Sequence, residues 1–214
     1  MTDIVEIPGK FITLEGGDGS GKSTQAKQLA AFLEDQGKEV ILTREPGGAP
    51  GADDIRQLLL TGDPDRWDVI GETLLFYASR RNHLRLTVWP ALAAGKWVIS
   101  DRFADSTMAY QGYGNQMGVD EVQKIHDVTV GEFAPDLTYI LDIDVEAGLK
   151  RTHGRTHNED RFERMDLSFH NRMRQGFFEI AKKNEHRCVV VNAARQIDEI
   201  QTDMRRTLKN RFFS

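Results

Sequence analysis

Hydrophobic positions along the chain concentrate in five short runs, which are separated by longer stretches of helix-forming composition. The runs are FITLE at 11–15, EVILT at 39–43, WVISD at 97–101, TYILDID at 138–144 and CVVV at 188–191. Several are apolar on successive residues, which is typical of parallel strands covered by helices on both faces. The alternation of strand and helix predicts a three-layer α/β/α sandwich, with ligands bound at the carboxyl ends of the strands.

Length and charge narrow the classes of partner. The 214 residues predict one domain, 1–214, without a low-complexity linker. A net charge of −5 does not favour non-specific nucleic-acid binding, although local basic patches stay possible, so we expect small-molecule partners. The single cysteine, Cys188, excludes an intramolecular disulfide and lies in an apolar run, which indicates a buried strand residue.

No targeting or membrane signal is evident in the chain. The first residues, MTDIVEIPGKF, lack a basic segment followed by a long apolar one, and no run approaches the roughly 18 apolar residues of a membrane helix. We therefore expect a soluble, unexported, cytoplasmic protein without a membrane partner.

A glycine-rich loop follows the first predicted strand and precedes a predicted helix. Its residues, GGDGSGKST at 16–24, match the phosphate-loop pattern G-x-x-x-x-G-K-[ST]. In such a loop the backbone N–H groups and the helix N-terminus bind phosphate oxygens, Lys22 reaches the β- and γ-phosphates, and Ser23 ligates Mg²⁺. The predicted ATP-binding residues here are Gly16, Gly17, Asp18, Gly19, Ser20, Gly21, Lys22, Ser23 and Thr24. A glycine turn with an exposed lysine is the alternative that the flanking strand and helix disfavour.

Charged residues also end two neighbouring strands. Asp101 is the last residue of the run at 97–101 and Arg102 follows it, while Arg44 follows the run at 39–43. Asp101 is placed to hold a Mg²⁺ water beside the phosphate loop, so Ser23 and Asp101 form the predicted metal site. Two guanidiniums converging on a second phosphate indicate an acceptor that is itself phosphorylated. For each arginine alone, a surface ion pair is the alternative.

Five segments in this order resemble bacterial thymidylate kinases: LEGGDGSGKSTQAKQL, LTREPGG, LLFYASRRNH, SDRFADSTMAYQGYG and ILDIDVEAGLKR. The resemblance covers most of the chain. It implies a five-stranded parallel sheet of the P-loop kinase fold, Mg·ATP as donor, dTMP as acceptor, dTDP as product in dTTP synthesis, and a homodimer built through helices. Under this resemblance Lys22, Asp101 and Arg102 are catalytic residues.

Phe76 and Arg80 are four residues apart, so they lie on one helix face. The resemblance implies that thymine stacks on Phe76 and that Arg80 donates to an exocyclic carbonyl, which cytosine lacks at that position. It also implies that Asp18 faces the sugar 3′-hydroxyl, that Thr107 and Gln111 contact the pyrimidine N3 edge, and that Tyr110 lies against the sugar. A core Phe76 with a solvent-directed Arg80 is the alternative reading.

The segment RTHGRTHNEDRFER at 151–164 looks like the mobile lid of nucleotide kinases. Its Arg151, Arg155 and Arg161 are candidates to compensate the charge of the transferred phosphoryl group. Some thymidylate kinases have an arginine in the phosphate loop where this chain has Gly19, so we expect Arg155, beside Gly154, to take that catalytic role. Arg151 is expected to stack on adenine.

Several points stay open on sequence alone. The roles of His153 and His157 are unassigned, because no third metal ligand accompanies them, and Asn192 stands where the family more often has Asp near the adenine. A P-loop switch or GTPase is disfavoured because no N-K-x-D motif is present. Another small-molecule kinase, for a nucleoside or another nucleoside monophosphate, is the remaining alternative.

Overall fold

The computed structural model describes residues 9–152 and 161–213, and its centre is a five-stranded parallel sheet. The strands are β1 Phe11–Glu15, β2 Val40–Arg44, β3 Trp97–Asp101, β4 Leu137–Asp142 and β5 Cys188–Asn192, arranged in the order β2-β3-β1-β4-β5. The predicted parallel sheet is confirmed, and all five apolar runs form its strands. Only the ends of three strands differ from the predicted runs: β2 spans 40–44 rather than 39–43, β4 spans 137–142 rather than 138–144, and β5 spans 188–192 rather than 188–191.

Nine α-helices are present within the described residues. They are α1 Lys22–Asp35, α2 Pro50–Leu60, α3 Val69–His83, α4 Trp89–Ala93, α5 Ala104–Thr107, α6 Val119–Thr129, α7 Val145–Thr152, α8 Leu167–Lys183 and α9 Ile197–Phe212. Two π-helical turns, Leu84–Val88 and Met108–Gly114, continue α3 and α5, and a 3₁₀ turn spans Pro64–Arg66. Side chains cap some helix starts: Asp68 accepts from the Gly71 N–H at α3, and Asp166 accepts from the Phe169 N–H at α8.

Helices cover both faces of the sheet, because alternate strand residues point to opposite sides. On one face, α1 and α9 pack Leu29, Leu33 and Met204 against strand residues such as Ile12 and Leu14. On the other face, apolar residues of α3, α4, α6 and α8 pack against the remaining strand positions. The three-layer architecture predicted from the sequence is therefore confirmed.

Strand register places the chemistry at one edge of the sheet. All five strands run parallel, so their carboxyl ends meet, and Asp101 of β3 pairs with Leu14 of β1 and with Arg44 of β2. The loop after β1 therefore lies next to the ends of β3 and β4. Within the described ranges, no helix is both long and apolar enough to cross a lipid bilayer.

Candidate active site

The loop between β1 and α1 is a tight turn that only glycine permits at two of its positions. Gly16 and Gly19 have φ of 128° and 74°. A Cβ on Gly16 would lie 2.3 Å from the Leu141 carbonyl oxygen, and one on Gly19 would lie 2.0 Å from the Gly148 carbonyl oxygen. Glycine therefore allows the loop to pack directly on the main chain of β4 and α7. The loop ends at Gly21, and α1 begins at Lys22 as the sequence predicted.

Lys22 is buried at the centre of this loop. Its Nζ donates to the Gly16 and Gly17 carbonyl oxygens at 3.0 and 2.8 Å, and to Ser20 Oγ at 3.4 Å. Burial, reinforced by the nearby Arg102, lowers the pKa of Lys22 to about 8. Burial and the neighbouring Arg102 disfavour the positive charge of Lys22. An anionic ligand beside Lys22 would stabilise that charge, so this position suits a phosphate group.

Ser23 and Asp101 meet at the edge of the sheet. The Ser23 hydroxyl donates to Asp101 Oδ2 in a short hydrogen bond. A hydroxyl and a carboxylate are the oxygen ligands that Mg²⁺ prefers, and Mg²⁺ commonly takes only one or two protein ligands beside phosphate oxygens and water. The two residues predicted to form the metal site therefore lie together, and their chemistry fits the ion.

Arg102 links the end of β3 to the phosphate loop. It has a φ of 73°, unusual for a residue other than glycine, and its guanidinium donates to Asp18 Oδ1 at 2.7 Å, Tyr110 Oη at 2.9 Å and the Gly16 carbonyl oxygen at 3.0 Å. Tyr110 Oη in turn donates to Asp18 Oδ2 at 3.1 Å. Burial alone would raise the pKa of Asp18, but Arg102, Lys22 and the Tyr110 hydrogen bond together hold that pKa below its usual value.

Glu15 supports this arrangement from beneath the loop. It is fully buried, and its carboxyl oxygens accept from the Phe103 N–H at 2.7 Å and the Ser106 hydroxyl at 2.5 Å. Ser106 Oγ also accepts from Arg102 Nη1 at 3.0 Å. Burial, with a smaller contribution from Asp105, raises the pKa of Glu15 to about 8.

A cavity of about 400 Å³ opens from the phosphate loop toward α3 and α5. Its walls include the predicted phosphate-loop residues Asp18, Gly19, Gly21, Lys22, Ser23 and Thr24. They also include the predicted acceptor-side residues Arg44, Phe76, Arg80, Arg102, Thr107, Tyr110 and Gln111, and the predicted metal ligand Asp101. The fold thus brings the predicted phosphate-loop residues and the predicted acceptor residues around one continuous cavity, whose volume is typical of small-molecule sites.

Arg80 lies in the wall of this cavity and is only 2% exposed, so it does not extend to solvent. Its Nε donates to Glu45 Oε2 at 2.7 Å, and its Nη2 donates to the Phe103 carbonyl oxygen at 3.0 Å and to Thr107 Oγ1 at 2.9 Å. Its Nη1 is buried without a hydrogen-bond partner among the described residues. Thr107, predicted at the N3 edge of a pyrimidine, lines the cavity and also holds Arg80 in place.

Glu45 is itself fixed by a buried histidine. His83 Nδ1 donates to Glu45 Oε1 at 2.9 Å, and His83 Nε2 lies 2.8 Å from Thr43 Oγ1. The carboxylate between Arg80 and His83 therefore has a donor at each oxygen. Among the contacts of residues 9–152 and 161–213, this network leaves Nη1 as the one guanidinium nitrogen of Arg80 that can serve a ligand.

Arg80 offers a hydrogen-bond donor to the cavity, and Gln111 offers an acceptor to the same cavity. Its Nε2 donates to Glu72 Oε1 at 2.8 Å, while its Oε1 is buried without a partner in the described part of the chain. Glu72 Oε2 forms a short, buried ion pair with Arg161 Nη1. Arg161 differs from the prediction: instead of facing the phosphate loop as a lid arginine, it is buried, and it also donates to the Leu59 and Asp63 carbonyl oxygens.

An aromatic pair forms another part of the wall. Phe76 is half-buried, and its ring centroid lies 5.9 Å from that of Phe162. Tyr110 packs edge-on against Phe162 at 5.6 Å. Arg44 also lines the cavity. Its side chain is exposed, and its Nη2 lies 3.8 Å from Asp53 Oδ1, a distance typical of a weak surface ion pair.

Arg151 ends near the loop that follows β5. Its Nη1 donates to the Ala193 carbonyl oxygen at 3.2 Å and to the Gly19 carbonyl oxygen at 3.4 Å. It therefore connects the phosphate loop with the segment after Asn192, where the sequence placed the adenine. Arg155, with His153 and His157, lies outside the described residues.

Comparison with known proteins agrees with this geometry. Residues 14–204 match the family model for thymidylate kinase. The chain belongs to the thymidylate kinase family. It is 49% identical over 197 residues to the thymidylate kinase of Dinoroseobacter shibae, covering 92% of this chain and 95% of that protein. It is 50% identical to that of Ruegeria pomeroyi, with 92% of each chain covered.

A solved structure extends the family likeness to the fold. The thymidylate kinase of Ehrlichia chaffeensis superposes with a TM-score of 0.78 at 37% identity, covering 94% of this chain and 99% of that one. The family predicted from the five sequence segments is thus confirmed, and so is the P-loop kinase fold that it implied.

Four contributors to the thymidylate kinase site were missed by sequence reasoning. Glu45, Glu72 and His83 support the residues of the cavity wall, and Phe162 forms part of it. Glu45 lies inside the segment LTREPGG, His83 is the last residue of LLFYASRRNH, and Glu72 lies two residues before that segment. Their positions within or beside these family segments were therefore a sequence signal. Their partners are 35 to 89 residues away in sequence, however, and only the folded chain shows them.

Proposed function

We propose that this protein transfers the γ-phosphoryl group of ATP to dTMP, forming dTDP and ADP. The observation that carries the proposal is one cavity with a phosphate loop at one end and, at the other, a buried donor and a buried acceptor that both lack partners in the described chain, Arg80 Nη1 and Gln111 Oε1. Thymine offers a carbonyl at C4 and an N–H at N3, side by side. These two groups match a donor and an acceptor placed on one wall.

The donor nucleotide is proposed to bind at the phosphate loop. The loop N–H groups and Lys22 hold the β- and γ-phosphates, and Arg151 lies beside the adenine near Ala193. Ser23 and Asp101 would hold Mg²⁺, which when bound neutralises charge on the phosphate oxygens. Lys22 can contact the γ-phosphoryl group during its transfer, because its compact ammonium group sits on a flexible side chain.

The acceptor is proposed to bind across the cavity. Arg102, with the longer reach of Arg44, binds the dTMP phosphate and brings it in line with the donor. Phe76 stacks on the thymine ring, and Tyr110 with Asp18 contacts the sugar. Both terminal nitrogens of Arg102 donate to protein groups, namely Asp18, Tyr110, Ser106 and the Gly16 carbonyl oxygen. Binding the phosphate therefore exchanges part of this network for phosphate oxygens, while the remaining contacts keep the guanidinium in place.

Transfer of the phosphoryl group also needs compensation of developing charge. Gly19 cannot be replaced by an arginine without moving the Gly148 carbonyl, since even a Cβ would lie 2.0 Å from that oxygen. We therefore assign the compensating guanidinium to Arg155 of the lid segment 151–164, which also excludes water when it closes. This assignment rests on the sequence, since Arg155 lies outside the described residues.

A homodimer built through helices is part of the same proposal. Ile70 and Leu74 of α3 are 54% and 52% exposed and lie one helical turn apart, with the exposed Ala78 one turn further on. Val128 of the adjacent α6 is 86% exposed. An apolar stripe of this kind favours pairing of α3 with a second copy.

A cytoplasmic location completes the proposal, because both substrates are nucleotides.

An ADP-release assay tests the function. The purified protein is supplied with ATP, with and without Mg²⁺, and with dTMP, dUMP, dCMP, GMP or thymidine in turn. We expect dTMP to give the highest kcat/KM, Mg²⁺ to be required, and dUMP to rank above dCMP. Preferred use of thymidine or GMP would contradict the proposal and would favour a nucleoside kinase or another nucleotide kinase.

A further inference from the structure

The orientation of the Gln111 amide is decided by a carboxylate behind the cavity wall. Gln111 is fully buried on the helical segment that carries Thr107, and its Nε2 donates to Glu72 Oε1 at 2.8 Å. Asn115 Nδ2 donates to the same oxygen at 3.2 Å. The Gln111 Oε1 atom is left without a partner among residues 9–152 and 161–213, and Gln111 lines the cavity.

Each carboxylate oxygen of Glu72 faces a donor, Gln111 Nε2 at Oε1 and the buried Arg161 guanidinium at Oε2, so Glu72 acts only as an acceptor here. If the Gln111 amide turned over, its Oε1 would face Glu72 Oε1, so two acceptors would meet inside the protein and the Nε2 donor would face the cavity. Buried contacts of like polarity are unfavourable because neither group regains the hydrogen bond it lost with water. Glu72 therefore holds Gln111 with its acceptor toward the ligand.

We propose that Glu72 is a specificity-determining positioning residue, which makes the cavity accept a pyrimidine with a hydrogen at N3 and reject cytosine. This inference rests on the proposed function. Thymine and uracil carry N–H at position 3, which meets Gln111 Oε1, whereas cytosine carries a lone pair there. Glu72 reaches no ligand itself and acts through Gln111.

The replacement Glu72→Gln is expected to turn the Gln111 amide over, with little change in the shape of the residue-72 side chain. Arg161 requires an oxygen, so the new amide places its oxygen toward Arg161 and its NH₂ group toward Gln111. Gln111 Oε1 then accepts from residue 72, and its own NH₂ group turns to the cavity, where it can donate to the cytosine N3. Removing one clash of like polarity in a buried site is expected to change discrimination by about tenfold.

Steady-state kinetics with dTMP, dUMP and dCMP provide the test. In Glu72→Gln we expect the kcat/KM for dCMP relative to dTMP to rise about tenfold, in line with the loss of one buried polar mismatch. The ratio of dUMP to dTMP should stay at its wild-type value, because uracil and thymine present the same hydrogen-bonding edge. A folded Glu72→Gln variant with an unchanged dCMP to dTMP ratio would overturn the proposal.

Arg161→Met is the matched control. It breaks the same buried ion pair but leaves the carboxylate that orients Gln111, so the dCMP to dTMP ratio should remain that of the wild type. An equal rise in both variants would mean that Glu72 acts only by holding Arg161, and would also overturn the proposal. If Glu72→Gln alone does not fold, Glu72→Leu/Arg161→Met removes both charges together and takes away the acceptor that holds Gln111 Nε2. The Gln111 amide can then turn over, so the same rise in the dCMP to dTMP ratio is expected, and an unchanged ratio would overturn the proposal.

Action through Gln111 is checked by a double-mutant cycle. In a Gln111→Leu background, adding Glu72→Gln should leave the dCMP to dTMP ratio unchanged, and a further rise there would contradict the mechanism. The proposed function fails separately from this inference. If the wild-type protein does not prefer dTMP, the function is wrong before any variant is compared, whereas a wild type that prefers dTMP leaves only the role of Glu72 in question.

Discussion

The replacement Arg80→Ala separates base recognition from stability, because Arg80 serves both in our proposal. Three of its contacts are internal, to Glu45, Phe103 and Thr107, and one nitrogen, Nη1, is directed to the ligand in our proposal. Removing the side chain therefore takes away one hydrogen bond to the thymine carbonyl. It also leaves the Glu45 carboxylate buried with His83 as its remaining hydrogen-bond donor.

The lost ligand hydrogen bond is expected to lower kcat/KM, whereas the broken ion pair with Glu45 is expected to lower Tm. A hydrogen bond to a charged group contributes about 1.5–3 kcal/mol, which corresponds to a fall in kcat/KM for dTMP of about 10- to 150-fold. Breaking a buried ion pair by removing one partner costs about 3–5 kcal/mol of folding free energy. For a chain of this length each kcal/mol lowers Tm by about 2–4 °C, so we expect a decrease of about 6–20 °C.

The assay compares kcat/KM for dTMP at saturating ATP with kcat/KM for ATP at saturating dTMP, at a temperature where circular dichroism shows the variant to be folded. Arg81→Ala is the matched control, since Arg81 lies on the same helix but is exposed and donates to the Thr129 carbonyl oxygen at 3.0 Å. We expect only Arg80→Ala to lower the dTMP parameter, with the ATP parameter little changed. A folded Arg80→Ala variant with a wild-type kcat/KM for dTMP would refute the reasoning.

Three further predictions concern the phosphoryl end of the site. Arg155→Ala should lower kcat, toward the roughly 10³-fold that arginine fingers supply, while calorimetry shows ATP and dTMP affinities unchanged; a normal kcat rejects the assignment. Asp101→Asn should raise the Mg²⁺ concentration needed for half-maximal activity, and an unaltered Mg²⁺ titration would remove Asp101 from the metal site. The pKa of Glu15 is raised from 4.5 to about 8, chiefly by burial, so its protonated form stabilises the fold fully below pH 4.5 and this contribution is lost as pH rises to about 8. In Glu15→Gln the free energy of unfolding, measured with urea, should fall less over that range, and an equal fall in both proteins would contradict this account.

The sequence by itself determined the architecture and the phosphate end of the site. Five apolar runs became five parallel strands, and the loop at 16–24 lies between β1 and α1 as its pattern required. These features are local: strand propensity, glycine conformation and a helix start depend on residues adjacent in the chain. The carboxyl ends of parallel strands then meet at one edge, so Arg44, Asp101 and Arg102 could be placed near the loop from their positions alone.

Only the tertiary structure decided how the acceptor residues are held. Sequence spacing placed Phe76 and Arg80 on one helix face, but it did not show that Glu45 and Thr107 leave a single nitrogen of Arg80 for a ligand. It placed Arg161 in a lid, whereas the fold buries that residue against Glu72. Whether a buried side chain offers a donor or an acceptor to the cavity depends on the charged groups that pack behind it. Those groups come from distant segments of the chain, so the periodicity of the sequence does not predict them.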